Sequence, residues 1–286
     1  MWRMNRNPAR PLNLTRKAAT MKTSHALIRL LNLSFLTVFG LLTAAAVVAD
    51  DAKLRPFVLA AISTQDAATA VAETRSKLTG AGFEIVGEVQ PYQGSHILVI
   101  SNAQLRQHAT QSEFGAYGAA LRVTVSSTGK EQQIAFTNPV YMAQVYRMQS
   151  DLNDVYKQLS TALGNQKEFG SEKGLNKKDL RKYHYTFMMP YFDDPLDLVR
   201  YPDQVTALNK VEAALGTNKA GVKKVYRIDL PGKEETVIGV QLSGKNDDDC
   251  SGDKYIMSRI DFKDIKSAGH LPYEIVISKG RVYALP

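Results

Sequence analysis

FVLAAISTQDAATAVAETRSKLTGAGFEIVGEVQPYQGSHILVIS, residues 57–101, changes its apolar period twice, and that change decides the fold. Phe57–Ile62 is a short apolar run, the pattern of a buried strand. Ser63 and Thr64 stand where a helix needs a cap, and Asp66 stands in its first turn. Ala67, Val71, Thr74 and Leu78 then recur at helical spacing until Gly80 and Gly82 stop the helix. Phe83–Gln90 alternates as a strand, Pro91–Gly94 turns, and His96–Ser101 is a strand again. A strand, a helix and two turn-linked strands predict an α+β fold, with curved antiparallel sheets and helices packed on one face.

Working outward from that stretch, Asn102–Glu113 reads as a short helix and Gly115–Gly118 as a loop. Leu121–Ser127 and Gln132–Thr137 form a hairpin around Thr128-Gly129-Lys130. Asn138 caps a following helix and Pro139 sits in its first turn. Tyr141, Val145, Met148, Leu152, Val155, Leu159 and Leu163 repeat at steps of three and four, which predicts one continuous helix ending at Gly164. Residues 50–164 thus read as a first α+β domain and the polar, basic residues 165–182 as a linker.

Residues 183–286 repeat the first domain in outline. Tyr183–Met189 is a predicted strand, and a Pro- and aromatic-rich connection follows it. Val205, Leu208, Val211 and Leu215 mark a helix. Val222–Leu230, Thr236–Ser243 and Tyr255–Phe262 are predicted strands, and Tyr273–Ile277 with Arg281–Leu285 a closing hairpin. The two halves therefore read as tandem units, the second without its closing helix. An apolar face left bare there would expose Val237, Val240, Ile256, Ile260, Ile275, Ile277 and Val282 and favour a homo-oligomer.

Upstream, residues 1–49 hold seven basic residues, no acidic one, and an uncharged run from Leu30 to Ala49. A basic region, an apolar core and small residues ending in Val47-Val48-Ala49 spell a signal peptide, with cleavage expected between Ala49 and Asp50. The expected location is periplasmic or secreted. Because about 20 apolar residues also span a bilayer, the alternative is an inner-membrane anchor with the rest on the periplasmic face. Without the seven leader charges the formal +8 falls to +1, so the basic pI predicts export and no nucleic-acid partner. Membrane contact is expected through the leader alone. The single cysteine, Cys250, excludes an intrachain disulfide and lies far from any lipoprotein cleavage site.

Ser112-Glu113-Phe114-Gly115-Ala116-Tyr117-Gly118, Thr137-Asn138-Pro139-Val140-Tyr141-Met142-Ala143 and Tyr146-Arg147-Met148 carry a likeness. On these motifs, residues 57–164 resemble the bacterial family catalogued as domain of unknown function 302. The resemblance implies a β-α-β4-α unit similar to the TATA-binding-protein fold. The family has no established activity, so the resemblance carries over no catalytic residue.

No nucleophile, base and stabiliser stand at catalytic spacing, and no cofactor motif occurs. The predicted function is a non-catalytic module that binds a small apolar ligand or a protein partner. The alternative is a periplasmic enzyme whose polar residues converge only in three dimensions. The candidate binding residues are Tyr92, His96, Tyr117, Arg122, Tyr146 and Arg147, since tyrosine and arginine are enriched in recognition surfaces. Asp247, Asp249 and Ser251 begin like a calcium loop, but Ser258 stands where its bidentate glutamate is required, so no metal site is predicted.

Overall fold

Asp66 starts the helix that the first stripe requires: its carboxylate accepts the Thr69 N–H at 3.0 Å. In the computed structural model, which describes residues 52–184, 186–246 and 249–286, this helix is α1 (Ala67–Gly80). The leader and the expected Ala49–Asp50 cleavage site lie outside the described residues. α1 crosses a sheet built from β1 (Phe57–Ser63), β2 (Glu84–Val89), β3 (Ser95–Ser101), β4 (Leu121–Thr128) and β5 (Glu131–Thr137). All its pairings are antiparallel, and a short sixth strand, β6 (Lys167–Phe169), extends the order to β2-β3-β4-β5-β1-β6. Between β3 and β4 lie helix α2 (Ala103–Ala109) and a 3₁₀ turn, Gly115–Gly118.

The helix predicted over 139–163 is two helices, α3 (Pro139–Val145) and α4 (Asn153–Leu163). Arg147 and Leu152 adopt left-handed backbone between them, with φ of 48° and 54°. Ser150 and Asp151 explain the break, because their side chains accept the backbone N–H groups of Leu152 and Asn153 in place of a helical ladder. The apolar stripe survives it: Met148, Leu152, Val155 and Leu159 are all buried with Leu78, Leu98, Ile100 and Phe136 in the first core.

The segment 165–182 contains β6 and a helical turn, α5 (Lys177–Leu180). Its few apolar residues are placed to dock: Phe169 pairs with Phe57 across the sheet, and Leu180 is buried against Tyr141 and Val145. Of the predicted strand 183–189, residues 186–189 form a turn instead, and His184 makes an isolated bridge to Tyr191. A strand forms later, β7 (Leu196–Arg200).

From β7 the chain runs through α6 (Gln204–Gly216), β8 (Val222–Asp229), β9 (Glu235–Leu242), α7 (Asp253–Ile260), a 3₁₀ turn at Ala268–His270, β10 (Tyr273–Ser278) and β11 (Arg281–Ala284). The predicted strand 255–262 is therefore the helix α7. Met257 is its buried apolar side chain while Ile260 is 45% exposed, so its apolar residues did not mark two strand faces. The second sheet is also antiparallel, in the order β7-β11-β10-β9-β8.

The two sheets share one connectivity. Matching β1 with β7 and each of β2–β5 with β8–β11 superposes the strand orders, and a helix and a 3₁₀ turn interrupt both at the same point. Even the bulges recur. A residue is skipped at Ala60 in β1 and Leu198 in β7, and at Val86 in β2 and Val225 in β8.

The bare second face predicted from the missing helix is not there. Val237, Val240, Ile277 and Val282 are 0–6% exposed, and Ile275 is half buried. α6 covers one side, packing Ala207 and Val211 on Ile238, Val240, Ile277 and Val282. On the other side Tyr226, Ile228, Val237, Val276 and Tyr283 meet Phe114, Ala116, Tyr117 and Ala120 of the first half. The cover is reciprocal: the 115–118 turn lies on β9 and β10, while the 268–270 turn lies on β3, β4 and β5. All the described residues accordingly fall in one compact unit.

Candidate functional site

β4 alternates Leu121, Val123 and Val125 into the first core, which turns Arg122, Thr124 and Ser126 to the other face. In the folded chain the second half covers it, and all three side chains are 6% exposed or less.

Arg122 needs a counter-charge there, and Glu274 on β10 supplies it at 2.7 Å. The guanidinium also donates to the Pro272 carbonyl at 3.1 Å. The Tyr226 hydroxyl donates to the other Glu274 oxygen. Tyr146 approaches the same pair and stacks on Tyr117 with ring centroids 5.4 Å apart, and the Tyr117 hydroxyl donates to the Tyr283 carbonyl. Burial pushes the Tyr226 and Tyr117 hydroxyls well above their ordinary range, with the Glu274 charge adding to it. Tyr146 rises to about 12, from burial first and Glu274 second. On Arg122 burial works against the charge, but Glu274 more than reverses it, so the group stays cationic.

Three of the six candidate residues, Tyr117, Arg122 and Tyr146, thus converge, and Glu274 and Tyr226 complete the cluster unpredicted. The other three stand elsewhere. His96 is half buried on β3 opposite Val125. Arg147, held by its left-handed backbone, pairs with Asp193 at 2.8 Å and donates to the Arg181 carbonyl. Tyr92 lines a cleft of its own.

That cleft, about 360 Å³, opens between the halves. The first half contributes the β2–β3 turn (Tyr92, Gln93, Gly94) and the end of β4 (Ser126, Ser127). The second contributes α7 and the chain after it: Lys254, Met257, Ser258, Asp261 and Lys266. Tyr92 donates to Asp261 at 3.1 Å, while the other Asp261 oxygen accepts the Ser267 N–H at 2.7 Å. Burial, then the Asp261 charge, keeps the Tyr92 phenol protonated. Lys266 is oriented by the carbonyls of Asp261 and Lys263. Ser126 differs from the rest of the wall: its hydroxyl is buried and has no hydrogen-bond partner.

The calcium-like loop uses its own oxygens. Asp249 accepts from the Ser251 hydroxyl and N–H and from the Lys245 N–H, which hold its carboxyl down at about 2. Asp247 lies outside the described residues. Among the described residues no cluster of three His, Cys, Asp or Glu side chains is arranged to hold a metal ion.

Next to the cleft, Asp253 opens α7 from a buried position. One carboxylate oxygen accepts the Leu242 N–H at 3.1 Å, and the other has no partner. Burial raises its pKa to about 6, against the pull of that one bond. A raised folded pKa favours the neutral acid, so its stabilisation is complete below pH 3.8 and is lost as the pH rises through 6. Asp253→Asn keeps the acceptor and removes the charge. We expect it to gain about 2 kcal/mol at pH 7.5 and nothing at pH 3.5. Urea unfolding of both chains at the two pH values measures this, and an equal gain at both would refute the assignment.

Compared with protein-family models, curated proteins and solved structures, the chain matches none.

Proposed function

We propose that this chain is a non-catalytic binding protein that holds a small polar ligand in the cleft between its halves. The observation that carries the reading is Ser126, a residue of the cleft wall whose hydroxyl is buried and has no partner. A buried hydroxyl without a partner costs free energy, and a ligand atom that bonds it recovers that cost. Lys254, Lys266 and the Tyr92–Asp261 pair around it favour a hydroxylated or anionic molecule over the apolar ligand expected from a curved sheet. Tyr117, Tyr226 and the Arg122–Glu274 pair speak against the enzyme alternative at that cluster, because they are buried between the halves. A catalytic group has to reach its substrate.

The matching strand orders and bulges support two copies of one α+β unit, fused. With α2 inserted between β3 and β4 and the last helix split in two, residues 57–163 keep the strand and helix sequence that the resemblance to the domain-of-unknown-function 302 family implies. The basic and apolar leader supports export, with the ligand met in the periplasm or outside the cell.

A thermal-shift panel of monosaccharides, hydroxy acids and amino acids tests the ligand reading. A ligand at 100 times its Kd stabilises by about 2.7 kcal/mol. Ser126→Ala should weaken that ligand about tenfold without loss of basal stability. A panel without a shift, or equal binding by the variant, would overturn the reading.

A further inference from the structure

Residues 186–191 project apolar side chains into solvent. Phe187 is 85% exposed, Met188 87% and Met189 49%, with Tyr191 at 42% just below them. Three consecutive large apolar residues this open are uncommon on a soluble surface and mark an interaction site. The projection is braced. The His184 and Tyr191 rings lie 4.7 Å apart, and the Tyr183 and Phe192 rings meet at a tilt, 5.0 Å apart. The Phe192 N–H donates to the Tyr183 carbonyl, and the Met189 N–H closes a turn on Thr186. The tip is thus held out by its base while its own side chains touch little.

Charge at the base is mainly basic, two lysines against one carboxylate. A cleft of about 300 Å³ is lined by Lys178, Lys182, His184, Tyr183, Leu175 and Asp179. Lys178 and Lys182 form no ion pair among the described residues. The acidic residues beyond the tip are engaged: Asp193 with Arg147, Asp194 with the Tyr191 N–H and Asp197 with Arg281. An apolar tip above paired ammonium groups is complementary to an anionic phospholipid surface, with headgroup phosphate at the lysines and acyl chain at Phe187 and Met188. No helix among the described residues is long and apolar enough to cross a membrane, so contact of this kind lies on the surface.

We propose that the 186–191 tip inserts into the interface of an anionic bilayer and that Lys178 and Lys182 hold its headgroups. This contact is separate from the leader and from the polar cleft.

The chain supplies its own test, because its one tryptophan is Trp2. Trp2→Phe with Phe187→Trp, in the full chain, puts a single indole at the tip. Vesicles containing phosphatidylglycerol should shift its emission to shorter wavelength, and brominated acyl chains should quench it. Pure phosphatidylcholine vesicles should do neither. Lys178→Gln with Lys182→Gln should raise the amount of charged vesicle needed by roughly tenfold. A companion chain with Trp2→Phe and Val205→Trp, at a 66% exposed position on α6, should stay unshifted even where the leader carries it to the vesicles. A tip indole that behaves like that companion would overturn the proposal. So would a shift that follows protein concentration without vesicles, which would assign the tip to a second copy of the chain.

Discussion

Glu274→Leu should lower the unfolding free energy by about 3–5 kcal/mol, because it strands the Arg122 guanidinium in a dry interior. The loss is larger than that of a surface ion pair, which is worth under about 1 kcal/mol. Tyr226 loses its acceptor in the same variant. In a unit of this size the melting temperature should fall by roughly 10 °C. The discriminating chain is Arg122→Met with Glu274→Leu. Apolar side chains of similar volume remove both desolvation costs, and most of the lost stability should return. Thermal and urea unfolding of the three chains decide it. If Glu274→Leu alone were tolerated, water would have to reach the pair and the sealed junction would be wrong.

The second large effect falls on Gly239→Ala. The Tyr226 ring lies flat against Gly239, where an added methyl would overlap it. Tyr226 is 2% exposed and tied to Glu274, so the ring cannot swing into solvent. Overpacking together with the strained hydrogen bond should cost about 3 kcal/mol. Tyr226→Leu in the same chain shortens the obstacle and should restore part of the loss, as coupled neighbours do. Additive losses, measured by urea midpoints, would mean that the two residues do not touch.

Local pattern made the first half legible. β1, α1, β2, β3 and the β4–β5 hairpin fall where the periods of residues 57–137 put them, since each element shows its own core face. The failures have local causes too. Ser150 and Asp151 bond the backbone and split a helix whose stripe runs on undisturbed. Tyr255-Ile256-Met257 crowds three apolar residues together, which fits a strand and a helix equally, and only the burial of Met257 separates them. The site was half legible. Alternation tells which face of β4 is polar, but not whether water or protein covers it, and here Arg122 and Ser126 meet the second half. Glu274, one acidic residue in the last hairpin, gave no signal, because its meaning depends on a partner far away in the chain.

The buried pair also acts as a rule of pairing. Arg122 is the second residue of β4, Glu274 the second residue of β10, and these strands hold corresponding places in the two sheets. If either half docked on a twin of itself in this manner, two guanidiniums or two carboxylates would face each other without water. Repulsion in such a low-dielectric setting is severe. Opposite signs at matched positions therefore make each half the preferred mate of the other and a poor mate for itself. Chains crowded together in one compartment would be steered away from joining like halves, while closure within a chain and exchange between chains keep the same pair.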